Sequence, residues 1–219
     1  MPLYYLKQFT QVSKLGVWEI TESMDELTKA YGRSEDDFLN NMKSGKRKCE
    51  YLATRLLVQS MVKDDLPFVE IIKDEFGKPF LKNSAQHISV SHTGNFAAAI
   101  VHDSYWVGLD IEMVTPRIKK LSSRFLGNEE KKWLKKKSMN EQLHIIWGAK
   151  ECAFKIFSKG GIDFKEMLEV SEFDYSKSGR TFVSLRKNKI TNEYPVFWEN
   201  IDGLMLVYGI ANDLTLFKN

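Results

Sequence analysis

The period of apolar positions changes several times along the chain, and each change predicts an element. PLYYLKQF and GVWEI alternate or bunch their apolar residues over short runs, as strands do. MDELTKAYG reads as a short helix stopped at Gly32. In GKRKCEYLATRLLVQSMVKD, behind Gly45, residues Tyr51, Leu52, Leu56, Val58 and Val62 fall at helical spacing, which predicts a longer helix. FVEIIKDEFGKPFL and HISVSHTGNFAAAIVHD combine strands with turns, and YWVGLDIEMV reads as a buried strand. The chain is then expected to be helical through RIKKLSSRF, NEEKKWLKKK and EQLHIIWGAKECAFKIF, and to end in the short strands FVSLRK, YPVFWEN and GLMLVYGIAN. Helix-plus-strand material thus occurs twice. The expected fold class is α+β, as two similar halves, 1–104 and 105–219, in close contact because no Pro/Gly/Ser-rich linker parts them.

One strand breaks its own pattern. YWVGLDIEMV carries Asp110 and Glu112 in an otherwise apolar run. Residues two apart on a strand share a face, so both carboxylates project together, with Ile111 behind them. Paired acids are stable on a solvated edge strand or around a cation. Gly108, just before them, lets another backbone or a ligand approach closely.

The helix IIWGAKECAFKIF answers the strand. Trp147, Lys150, Glu151 and Lys155 follow at i, i+3, i+4 and i+8, which reads as one charged stripe on an apolar helix. A surface Glu–Lys pair is the plain explanation. The sharper one is that Glu151 completes an oxygen-ligand site with Asp110 and Glu112. Such a site suits Mg²⁺ shared with substrate phosphates, and Lys155 one turn along would present positive charge to a phosphate or leaving group. ISVSHTGNFAAA places Ser91, His92, Thr93 and Gly94 in a turn at a strand end, where hydroxyl, imidazole and backbone N–H groups can form an anion nest. FGKPF presents Lys78 in another turn.

Composition narrows the classes. An apolar content of 43% and a charged content of 28% are ordinary for a globular domain, and a net charge of +3 gives no global call for nucleic acid. Cys49 and Cys152 are too few for a disulfide framework. The N-terminus has no basic stretch followed by an apolar core, and no apolar run reaches the roughly 18 residues of a membrane helix. A cytoplasmic protein that engages no membrane is the expectation.

GKPFL, ISVSHTG, VGLDIE and WGAKECAFK occur in that order, and the ordered set resembles the surfactin-synthetase-type 4′-phosphopantetheinyl transferases. The resemblance runs from about residue 44 to about 163. It implies a pseudo-dimer of two α+β halves with the site in the cleft between them, and so a monomer. The reaction it implies is transfer of the 4′-phosphopantetheine arm of coenzyme A to a serine of an apo acyl or peptidyl carrier protein. Carried over by motif, Asp110, Glu112 and Glu151 would hold Mg²⁺, with Mn²⁺ as the alternative. Glu151 would also be the base for the carrier serine, and Lys155 would serve the leaving phosphate. Lys78, Ser91 and His92 would hold the coenzyme A phosphates. Arg47, with Arg55 two turns on, would lie on the family's basic helix near the 3′-phosphate, although a basic surface face explains Arg55 equally well. NEEKKWLKKK holds Glu129 and Glu130, one of which, Glu130 the better match, corresponds to a frequent family acid after Arg-Phe that would assist the metal. Cys152 stands where the family more often has Ala or Ser, and is expected to pack as a small buried residue rather than act as a nucleophile.

Nine Lys and Arg residues against two acids between Met113 and Asn140 give a local balance of +7. A solvated helix face would explain them. So would a surface at residues 117–137 that steers an acidic carrier protein; no aromatic–basic interleaving points to nucleic acid. Two rivals stay open. One is a metal-dependent nuclease, whose Glu-x-Lys belongs on the strand after the Asp, whereas here the acids are Asp-x-Glu on one strand and the Lys comes from a helix. The other is a non-catalytic carrier- or nucleotide-binding homologue, which loss of an acid or of the final lysine would signal.

Overall fold

The computed structural model describes residues 3–32, 39, 41–62, 69–82, 84–188 and 190–211. The chain divides into two compact units, one of Met1–Asp74 with Pro79–Ser104, the other of Glu75–Lys78 with Tyr105–Asn219. Each pairs an antiparallel sheet with one long helix, the α+β class expected from the sequence.

The first unit contains strands β1 (Leu3–Gln8) and β2 (Lys14–Glu19), helices α1 (Met24–Tyr31) and α2 (Gly45–Met61), the small β3–β4 ribbon (Ile71–Lys73, Pro79–Leu81), and strands β5 (His87–Thr93) and β6 (Phe96–His102). Its main sheet has the order β1-β2-β6-β5. A capping box between Ser23 and Glu26 opens α1, and Gly32 closes it at φ 69°, a left-handed position that favours glycine. Ala97, Ala98 and Ala99 are wholly buried along β6. Ala97 and Ala99, which share one face of the strand, leave room for α2, which brings Leu52, Ala53, Leu57, Val58 and Met61 into the core.

The second unit contains β7 (Trp106–Met113), short helices α3 (Ile118–Leu121) and α4 (Asn128–Trp133), the long α5 (Met139–Phe157), and strands β8 (Leu168–Val170), β9 (Ser178–Lys187), β10 (Ile190–Ile201) and β11 (Leu204–Ala211). The sheet order is β7-β11-β10-β9-β8. Helix α5 packs across β7 and β11, over a core that includes Phe125, Ile145, Ile156, Tyr194, Val196 and Trp198.

Three details depart from the sequence reading. NEEKKWLKKK does not continue as a helix: α4 ends at Trp133, Leu134 and Lys135 turn extended, and the Lys135 N–H donates to Gln142 Oε1. The final strands are long, ten residues for β9 and twelve for β10, because cross-strand pairing runs on past the apolar core of each segment. β8 was not legible at three residues, since a run that short has no period to read.

Candidate active site

Two glycines set how closely α5 approaches the sheet. A Cβ on Gly108 would lie 2.3 Å from the Cys152 carbonyl oxygen, so the close backbone that Gly108 accommodates is that of α5. A Cβ on Gly148 would lie 2.7 Å from Val207 Cγ2 and 3.6 Å from Asp110 Oδ2. Strand β7 thus presents Asp110 directly to the helix; in register, Asp110 pairs with Val207 of β11. Cys152 is fully buried, its thiol donates to Val207 O at 3.2 Å, and burial raises its pKa far above the ordinary thiol range. It packs as expected and is no nucleophile.

The close approach assembles a charged cluster. Lys155 donates to Leu109 O at 2.6 Å and to Asp110 Oδ1 at 3.2 Å, and its ammonium is 3.8 Å from Glu151 Oε2. The Asp110 side chain is 8% exposed, that of Glu151 20% and that of Lys155 25%, so water still reaches the pair on the helix. Burial raises the pKa of Glu151; Lys155 opposes the rise, while Asp110 and Glu112 add to it. Glu151 therefore feels both of the strand's carboxylates. Burial works against the Lys155 ammonium, yet Asp110 and then Glu151 outweigh it and raise its pKa.

The donor chemistry fits a hard divalent cation: carboxylate oxygens only, on two adjacent elements, with mutual repulsion that a cation would relieve. Among the described residues, however, no three His, Cys, Asp or Glu side chains are gathered into a ready ligand set. Lys155 lies between Asp110 and Glu151 instead.

Lys150 does not share the stripe. At about 100° per residue, it is rotated by roughly 140° from Lys155, and the apparent stripe splits into two faces. Lys150 is wholly buried and donates to Phe125 O at 2.7 Å, Glu130 Oε2 at 2.8 Å and Phe164 O at 2.9 Å. Glu130 in turn accepts from Gly127 N and Val170 N. The acid expected to assist a metal is instead the sealed partner of Lys150. Burial lowers the Lys150 pKa, and Glu130 pulls it back up. Trp147 goes with this face, packed at 5.3 Å from Phe125 and 5.4 Å from Phe164.

Lys78 belongs to the same unit as the acid cluster. Its ammonium stands 3.8 Å over the Trp106 ring and donates to Ile156 O in the last turn of α5. Arg47, Arg55, Ser91 and His92 belong to the first unit. Arg47 is exposed in the first turn of α2. Arg55 stacks on Tyr51 at 3.2 Å, a cation–π contact that accounts for its packing. Ser91 and His92 end β5 before a turn in which Gly94 takes φ 58°. His92 Nδ1 is 3.5 Å from Glu50 Oε2, and Glu50 is a nearly buried residue of α2.

Sequence reasoning missed Glu50 and His144. His144 is buried, its Nδ1 meets Asn140 O at 2.8 Å, and it lines a cavity of about 290 Å³ with Glu112, Met113, Arg117, Arg124 and Trp147. The available signal was its place seven residues before Glu151, two turns along one face.

Known proteins are similar to this chain in sequence. Residues 106–202, which include β7 and all of α5, match the family model described as the 4′-phosphopantetheinyl transferase superfamily. The resemblance seen in the motifs is borne out there. The 4′-phosphopantetheinyl transferase gsp of Aneurinibacillus migulanus is 27% identical over 145 residues, covering 64% of this chain and 57% of that protein. The 4′-phosphopantetheinyl transferase AcpT of Salmonella typhimurium is 28% identical over 140 residues, covering 61% and 70%. A 4′-phosphopantetheinyl transferase of Bacillus subtilis is 31% identical over 90 residues, covering 39% and 40%. The chain therefore spans a little over half the length of the first of these relatives.

Proposed function

We propose that this protein transfers the 4′-phosphopantetheine arm of coenzyme A to a serine hydroxyl of an apo acyl or peptidyl carrier protein. The carrying observation is the Asp110–Lys155–Glu151 cluster, which combines a base, an ammonium and hard-cation ligands in one place. In this reading Glu151 takes the serine proton, because a serine hydroxyl is a weak nucleophile until deprotonated. The serine oxygen bonds to the β-phosphorus, the pyrophosphate P–O bond breaks, and adenosine 3′,5′-bisphosphate leaves with its charge met by Lys155. Asp110, Glu112 and Glu151 would hold Mg²⁺, or Mn²⁺, which neutralises charge on the pyrophosphate when bound. Lys78, Ser91, His92 and Arg47 would hold the coenzyme A phosphates, with Arg55 beside them. We take the protein to act as a cytoplasmic monomer.

An acidic carrier would meet the basic segment 117–137. Not all of that charge is available: Lys132 pairs with Glu129 and Lys135 with Asp174. Arg117, Lys119, Lys120, Arg124, Lys131, Lys136 and Lys137 supply the rest, and Arg117 and Arg124 line the cavity at Glu112.

Intact-mass measurement of apo carrier proteins incubated with the protein, coenzyme A and Mg²⁺ tests the reading. A phosphopantetheine mass gain that a chelator abolishes is expected. No gain on apo carriers of fatty-acid, polyketide and peptide pathways would favour a non-catalytic homologue.

A further inference from the structure

As folded, Lys155 is committed. Its three N–H groups face Leu109 O, Asp110 Oδ1 and, at longer range, Glu151 Oε2. A lysine held in this way does not also reach a phosphate. Nor are the acids gathered for a metal. The ammonium lies between Asp110 and Glu151, 3.2 Å from the one and 3.8 Å from the other. We propose that Lys155 is an internal stand-in for a divalent cation, so that metal loading displaces its ammonium from the acids and turns it toward the phosphate. This rests on the reading of the site as a metal-dependent transferase.

The physical grounds are local. Asp110 is nearly buried, and a buried carboxylate needs a cation beside it. Mg²⁺ binds carboxylate oxygen at about 2.1 Å, and two cations on the same oxygens repel one another. Binding of either therefore weakens the other. The flexible lysine stem lets the ammonium swing while α5 stays in place, clamped at Gly108 and Gly148.

Mn²⁺ binding, followed by the paramagnetic resonance of unbound Mn²⁺ with neither coenzyme A nor carrier present, tests this on wild type, Lys155→Gln and Asp110→Asn. K155Q is expected to bind Mn²⁺ tenfold or more tightly than wild type, and D110N to lose binding. Without metal K155Q should melt lower than wild type, and Mn²⁺ should raise its Tm more. Equal or weaker binding by K155Q, or no binding by wild type, overturns the proposal. Should K155Q fail to fold, lysine side-chain NMR of the wild type decides: the Lys155 signal should shift on Mg²⁺ addition, and an unmoved signal overturns the proposal. Carrier modification by wild type without tighter K155Q binding would sink the stand-in role alone. Tighter binding with no carrier modification would sink the transferase reading alone.

Discussion

Helix α5 carries two lysines five residues apart, and they live in opposite worlds. Lys150 is sealed: it is fully buried, each N–H has a partner, and one carboxylate balances one ammonium. Lys155 is partly wet, two carboxylates, Asp110 and Glu151, share its ammonium, and burial, with Asp110 and Glu112 adding to it, raises the pKa of Glu151. A balanced and saturated pair has no further chemistry to offer, and it fixes the loop at Phe125 and the entry to β8 against the helix. An unbalanced, half-open cluster stores repulsion that a cation or a proton transfer can relieve. The two lysines differ in burial, pairing and charge balance although they share a residue type and a helix.

The comparison can be broken at either end. Lys150→Met leaves Glu130 buried without its cation, and should lower stability by about 3–5 kcal/mol. Calorimetry or denaturant melts would show this, and pairing the change with Glu130→Leu should recover most of the loss. Asp110→Ala should lower carrier-modification rate by roughly 10²–10³-fold, with a folded circular-dichroism spectrum retained. Gly148→Ala drives a methyl into Val207 and toward Asp110, and should cost about 1–3 kcal/mol in a melt together with a loss of rate. Lys136→Glu with Lys137→Glu reverses two exposed charges and should raise the KM for the carrier by about three- to tenfold while leaving that for coenzyme A unchanged. Equal shifts in both would remove the docking role.

Acidity gives the finest test. The Glu151 carboxyl titrates above its ordinary range because it is buried and because Asp110 and Glu112 are near, despite the opposing pull of Lys155. Between that ordinary range and the raised value, the folded protein keeps a proton that the unfolded chain has released. The stability owed to neutral Glu151 is therefore lost as pH rises through this window. Transfer, which needs the carboxylate, should rise through the same window, and saturating Mg²⁺ should move the step to lower pH. Metal-free melts and rate profiles of wild type against Glu151→Gln would show both.

Much of this was legible in the chain. Asp-x-Glu on a strand and Lys-Glu-x-x-x-Lys on a helix survive as spacing, because each period fixes which side chains share a face. Lys150 was misread because a helical face 140° wide looks like one stripe until its neighbours are known. Glu130 was misread because its partner lies twenty residues away, and no local pattern shows it. Leu109 O, which anchors Lys155, is a backbone atom and has no signature in sequence. Glu50 and His144 matter through contacts across elements, His92 for one and β7 for the other, that only folding reveals.

The claim that the Asp110–Glu151–Lys155 cluster performs transfer is tested most directly by single-turnover release of adenosine 3′,5′-bisphosphate from coenzyme A, in the presence of an apo carrier and Mg²⁺. Wild type and a folded Glu151→Gln variant would be compared. Release by the wild type matched to carrier modification, and slowed by roughly a hundredfold or more in the variant, is the predicted result. Release at equal rates by both proteins, or by neither, would contradict it.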